Sequence, residues 1–185
     1  MASSNMTKGE DVVDFLKGQH QEIKSLLSQV ESTRGEQRQR AFTHLRTLLA
    51  VHETAEEMVV HPKARRSIQN GEQVVDLRLD EENKGKRVLA ELEKLDVDST
   101  AFDEGFSRLH KDVLEHAENE EKDEFPQLAQ ALDEDQLQKM RKAAELAEKT
   151  APTHPHPGVE TGGQNMLAGP FASMMDRVKD ALSRG

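Results

Sequence analysis

The sequence contains no cysteine, no tryptophan and no tyrosine, and its only aromatic side chains are six phenylalanines in 185 residues. Without cysteine it has no disulfides, no thiolate-bound zinc, no iron–sulfur cluster and no thiol catalysis. Without tyrosine it has no tyrosyl radical and no phenolate metal ligand. Apolar residues are also few, 35% against 32% charged, so a buried sheet would be hard to build and the core must rest on narrow helical stripes. No apolar run approaches the ~18 residues of a membrane span, and the opening MASSNMTKGEDVVDF lacks the basic-then-apolar pattern of a signal peptide. Positive charge is in deficit as well, with Lys+Arg 25 against Asp+Glu 35 and a formal net charge of −10. Such a surface repels phosphates, so nucleic acid is not an expected partner. These absences describe a soluble cytoplasmic protein of one domain, the usual content of ~100–200 residues.

What is present is periodic. After a flexible lead at 1–9, four segments carry apolar residues at spacings of three and four, which places each set on one helix face. The first, about 10–32, holds Val13, Leu16, Ile23, Leu27 and Val30; the second, about 36–66, holds Phe42, Leu45, Leu49 and Val59. The third, about 72–96, holds Val74, Leu77, Val88, Leu92 and Leu95; the fourth, about 100–122, holds Phe102, Phe106, Leu109 and Val113. Ser32–Gly35 and Asn70-Gly71 are breakers, and Asp98-Ser99-Thr100 offers an N-cap. The pattern predicts an all-α, up-down-up-down four-helix bundle. A short fifth helix is expected at about 133–149, completing a domain over 10–149. Residues 150–170, rich in Pro and Gly, read as a linker, and 171–185 as a short amphipathic helix bearing Phe171, Met174, Met175, Val178 and Leu182.

The stripes are interrupted. His20 sits in the first; His52 and Glu56 sit four apart in the second; His116 and Glu120 repeat that arrangement in the fourth. Residues four apart project together, one turn up the helix. The third segment offers Glu81-Glu82-Asn83 where its stripe should continue. All four helices therefore aim polar, metal-competent groups at one interior. A buried unpaired carboxylate is costly and several together repel, and a cation removes both problems. Imidazole with carboxylate suits iron, manganese or zinc, and inward His and Glu are the recipe for a di-iron carboxylate centre in a bundle.

These residues resemble the hemerythrin-like family, the HHE cation-binding domains. The similarity spans about 10–146 and rests on Gly18-Gln19-His20-Gln21-Glu22, on His52-Glu53-Thr54-Ala55-Glu56-Glu57 through Pro62, and on His116-Ala117-Glu118-Asn119-Glu120-Glu121 through Phe125-Pro126. The Pro six residues after each Glu is typical of the family, and the tail Pro152-Thr153-His154-Pro155-His156-Pro157 resembles those of actinobacterial members. The resemblance implies a non-heme centre of two irons, oxo- or hydroxo-bridged. Carried over, His20 and His52 bind one iron, His116 the other, and Glu56 and Glu120 bridge them, leaving positions for O₂, peroxide or NO.

The chain departs from the family in the third helix, where a His is expected and none occurs over 72–96. The apolar register puts 81, 82 and 85 inward, so Glu82 is the favoured substitute, with Glu81 and Asn83 behind it. A carboxylate there gives either a more ferritin-like second iron site or a weak one and a mononuclear protein. His61, where the family has an aromatic residue before Pro62, lies roughly 7.5 Å further along the axis than Glu56 and about 140° around the helix from it at ~100° per residue. It is a candidate ligand or proton relay, off the main seam. Glu53 is a further candidate, although a solvated position is expected for it. His44, two turns before His52, is expected to be structural or exposed, and His110, six residues from His116, points elsewhere into solvent. The expected function is redox chemistry on O₂ or peroxide, oxidase or catalase-like, with or without a small-molecule substrate. The alternative is a module that carries or senses O₂, NO or iron through its tail. No hydrolytic triad stands out. With no large apolar patch evident, a monomer or homodimer is expected.

Overall fold

A computed structural model describes residues 10–151 of the chain. The expected flexible lead, the linker beyond 151 and the C-terminal helix lie outside the described residues. Within them every element is helical: α1 (Val12–Ser32), α2 (Gly35–Ala55), a π turn (Glu56–Val60), α3 (His61–Ser67), α4 (Gly71–Leu92), α5 (Thr100–Asn119), a second π turn (Glu120–Glu124), α6 (Phe125–Ala131) and α7 (Glu134–Thr150). Each π turn joins its flanking helices into one rod, so α1, α2–α3, α4 and α5–α6 form the four-helix bundle. Helix α7 packs across α1 and α2. No described helix is long and apolar enough to cross a membrane.

Local chemistry sets the ends. Asp11 caps α1 and Asp133 caps α7, each in a reciprocal capping box. The Ser99 side chain accepts from the Phe102 amide at the start of α5. The α3–α4 corner needs its Asn70-Gly71 pair: Asn70 takes φ 54°, and a Cβ at Gly71 would lie 2.6 Å from the Ala64 carbonyl oxygen.

The fourth helix does not stop at the expected 122 but continues to Ala131. Proline lacks an N–H and clashes with the carbonyl one turn back. In the π turn the Phe125 amide reaches back five residues to the Glu120 carbonyl, and the His61 amide likewise reaches Glu56. The extra residue lets Pro126 and Pro62 enter at the first turn of a new helix, where the missing donor is harmless.

The apolar core comes in two parts. One gathers Val12, Leu16, Val59, Val60, Val75, Phe125, Leu128 and the inner face of α7. The other gathers Ile23, Leu27, Phe42, Leu45, Leu49, Leu89, Leu92, Phe102, Phe106 and Leu109. Every bundle rod crosses from one to the other, and at each crossing it carries a buried polar residue: His20, His52 and Glu56, Glu82, and Glu120. The polar layer is thus a partition through the middle of the core.

Candidate metal centre

The residues expected to hold metal come together in two overlapping groups. His20, His52, Glu56 and Glu120 offer ligand atoms within 4.8 Å of one another, and so do Glu56, Glu82 and His116. Glu56 belongs to both. The Nε2 atoms of His20 and His52 stand 3.3 Å from Glu120 and Glu56 respectively, and His116 Nε2 stands 3.4 Å from Glu120. The i,i+4 spacing achieves this on α2 and α5, because one helical turn separates His from Glu.

A metal is tested by what the cluster leaves unpaired. Both oxygens of Glu56, both oxygens of Glu120, and the Nε2 atoms of His20 and His116 are buried without a hydrogen-bond partner among the described residues. Each such atom costs about 1–3 kcal/mol if nothing meets it. All six belong to imidazole or carboxylate and line one small interior. A divalent cation fits this donor set.

The outward faces of the imidazoles are occupied. His20 Nδ1 donates to Glu121 at 2.9 Å, His52 Nδ1 to Gln19 at 2.7 Å and His116 Nδ1 to Glu81 at 2.9 Å. Each bond holds Nδ1 outward and aims Nε2 at the interior, which is how metal-binding histidines are oriented. Gln19 is held in turn by Glu148 at 2.5 Å. The Phe125 ring stacks on His20 with centroids 5.7 Å apart.

Electrostatics follow this layout. Burial, reinforced by neighbouring His20, pushes His52 down to about 3. Burial and the adjacent Glu120 push the Glu56 carboxyl well above the ordinary range. Against its own burial, Glu120 is held well below that range by His116 and His20. Burial also opposes a charge on His116, yet Glu120 and Glu81 raise it to about 9. The metal-free centre therefore keeps protons on Glu56 and His116 that a metal must displace.

His61 stands where α-helical spacing does not put it. It is 2% exposed, with Nδ1 3.1 Å from Glu124 and Nε2 2.7 Å from Glu82. The π turn is the reason: a bond that spans five residues swings position 61 back over position 56. The repeated Pro six residues after Glu was the available signal. Against burial, Glu82 and Glu124 raise His61 well above its usual range, and His61 and Lys86 lower Glu82 to about 2.

Glu53 corrects a second expectation. It is 9% exposed, not solvated, with Lys86 Nζ 3.6 Å away. Lys86 also pairs with Glu57 and lies 3.5 Å from Glu82. Glu81 is not turned to the interior but serves His116 from outside, and Asn83 has no place in either group. Sequence reasoning missed Lys86, Glu57, Glu124, Gln19 and Glu121. All are polar side chains whose role depends on a neighbour on another helix. A small cavity of about 20 Å³ opens beside the centre between His20, His52, Glu82 and His116, lined by Ile23, Leu49, Val113 and Ala117 and by the acidic Glu53, Glu81 and Asp112, with Gly85 at its edge.

Residues 11–128 match the family model of the Hemerythrin HHE cation binding domain. The fold is similar to the crystal structure of a hemerythrin HHE cation-binding domain-containing protein from Mycobacterium kansasii, with a TM-score of 0.66 and 15% identity over 94% of this chain and 98% of that one. At that identity the likeness concerns the fold. No curated protein sequence matches the chain.

Proposed function

Since the chain belongs to the hemerythrin HHE cation-binding domain family, we propose that its interior holds two iron ions and performs redox chemistry on O₂ or hydrogen peroxide, as an oxidase or a peroxide-consuming enzyme. The observation that carries this reading is the convergence of six unpaired donor atoms from His20, His116, Glu56 and Glu120. His20 and His52 would hold one ion, His116 and Glu82 the other, and Glu56 and Glu120 would be shared. Two such ions supply the electrons for a two-electron change in O₂ or peroxide. The protein's part is to fix donors and exclude water. Gln19, Glu81 and Glu121 orient the imidazoles. The cavity walls combine Ile23, Leu49 and Val113 with Glu53, Glu81 and Asp112, so they admit a small uncharged molecule and disfavour anions. Phe125 closes the His20 side.

The test is elemental analysis of purified protein together with its absorbance. With no Trp and no Tyr, the polypeptide hardly absorbs at 280 nm, so a strong near-ultraviolet band after iron loading reports ligand-to-metal charge transfer. About two irons per chain, that band, and oxygen release from added peroxide or oxygen uptake with a reductant support the reading. Manganese or zinc in place of iron, or two irons without turnover, removes the enzymatic part.

One observation favours a second reading, a sensor or carrier of O₂, NO or iron. His52 is tied through Gln19 to Glu148, two residues before the end of α7. A change at the centre would bear on the C-terminal end of α7. Metal-dependent protection of the tail from protease, without turnover, would support it.

A further inference from the structure

The two metal positions differ in what already occupies their carboxylates. Both oxygens of Glu56 and both of Glu120 are unpaired, and so are Nε2 of His20 and of His116. Glu82 is different. Its Oε1 lies 2.7 Å from His61 Nε2 and its Oε2 lies 3.5 Å from Lys86 Nζ. Each contact comes from a side chain that is itself buried.

Neither cation is casual. The other nitrogen of His61 faces Glu124 at 3.1 Å. A ring that donates to a carboxylate on each side carries both N–H groups and a positive charge. Lys86 sits among Glu53, Glu57 and Glu82. Two buried cations thus lie against the one carboxylate that only the second metal position would use. A cation-bound carboxylate is a poorer ligand, because an entering metal must displace the partner and leave that charge buried.

We propose that His61 and Lys86 compete with the metal for Glu82, so that the centre loads in two unequal steps. The first ion enters at His20, His52, Glu56 and Glu120. The second enters at His116 and Glu82 only as far as the internal cations yield. This inference rests on the metal reading above and adds the rule by which the second position fills. His61 and Lys86 are positioning residues that set the occupancy of the second site.

The experiment is a titration of the full-length, metal-free protein with manganese(II) chloride, following free Mn(II) by electron paramagnetic resonance. Wild type is expected to take one ion tightly and a second at least about tenfold more weakly. Lys86→Met removes one competing charge and is expected to tighten the second step by at least about tenfold, with the first step within about twofold. Should Lys86→Met fail to give the wild-type circular dichroism spectrum, Glu82→Gln decides. It is expected to erase the second step and keep the first. Two equal steps in wild type, an unmoved second step in folded Lys86→Met, or loss of the first step in Glu82→Gln overturns the proposal. No Mn(II) and no anaerobic Fe(II) binding at all in wild type overturns the metal reading itself, a result distinguishable from the others.

Discussion

His52–Pro62 and His116–Pro126 share one plan: His, Glu four residues on, a π turn, and Pro six residues after the Glu. In both, the π turn carries the residue before Pro back into the interior. In one that residue is Phe125, and it lays an apolar ring on His20. In the other it is His61, and it joins Glu82 to Glu124. The same backbone device therefore makes a dry wall on one side of the centre and a buried cation on the other. The π turn fixes where the side chain goes; a phenyl ring there engages no carboxylate, whereas an imidazole there joins Lys86 against Glu82.

The largest expected effect separates the halves by ligand deletion. His52→Ala, with its loss of an imidazole from the uncontested position, is expected to leave less than one ion per chain after desalting. His116→Ala is expected to leave about one, because it touches only the second position. Elemental analysis checks both, and equal losses would erase the distinction between the halves.

The next test makes the first segment copy the second. His61→Phe leaves Glu82 and Glu124 buried without their imidazole. The metal-free protein is expected to lose about 3–5 kcal/mol of stability, the usual result of breaking a buried ion pair from one side. Urea unfolding measures it, and a loss under ~1 kcal/mol would show that the pairing with His61 contributes little.

Smaller effects come from the outward imidazole bonds. Gln19→Leu removes the acceptor for His52 Nδ1 and is expected to weaken the first metal step by about 10–100-fold. The second step should change less, since His116 is oriented by Glu81. Competitive titration against a chelator reads both.

The smallest is a pH difference. His116 holds its proton up to about 9, whereas His52, at about 3, has none to release near neutrality. A proton bound in the metal-free state and absent in the loaded state makes affinity rise with pH. The step that uses His116 should therefore tighten by one additional power of ten per pH unit, about tenfold, between pH 7 and 9. His52 adds no such dependence to the first step, whose response to pH comes from the Glu56 carboxyl instead. A second-step affinity that stays flat between pH 7 and 9 would show that His116 holds no proton there.

Much of this was written in the chain. Apolar residues at spacings of three and four determined four helices, because side-chain direction repeats with the helical turn. The His–Glu pairs at i,i+4 determined that each helix would present its donors together, and a carboxylate at 82 could be placed inward from Val88, Leu89 and Leu92 on the same helix. These are properties of one helix at a time, which local geometry suffices to fix. Tertiary structure decided the rest. Alpha-helical spacing turns position 61 away from Glu56, and only the π turn forced by the following Pro returns it. Glu53 reads as a surface residue until Lys86 arrives from α4. The helix register puts Glu81 and Glu82 on the same inner side and favours Glu82, but it does not tell what either meets. The first serves His116 from outside and the second faces His61 across the interior, because an ion pair or a metal site is a relation between helices, and its members become partners only when the bundle closes.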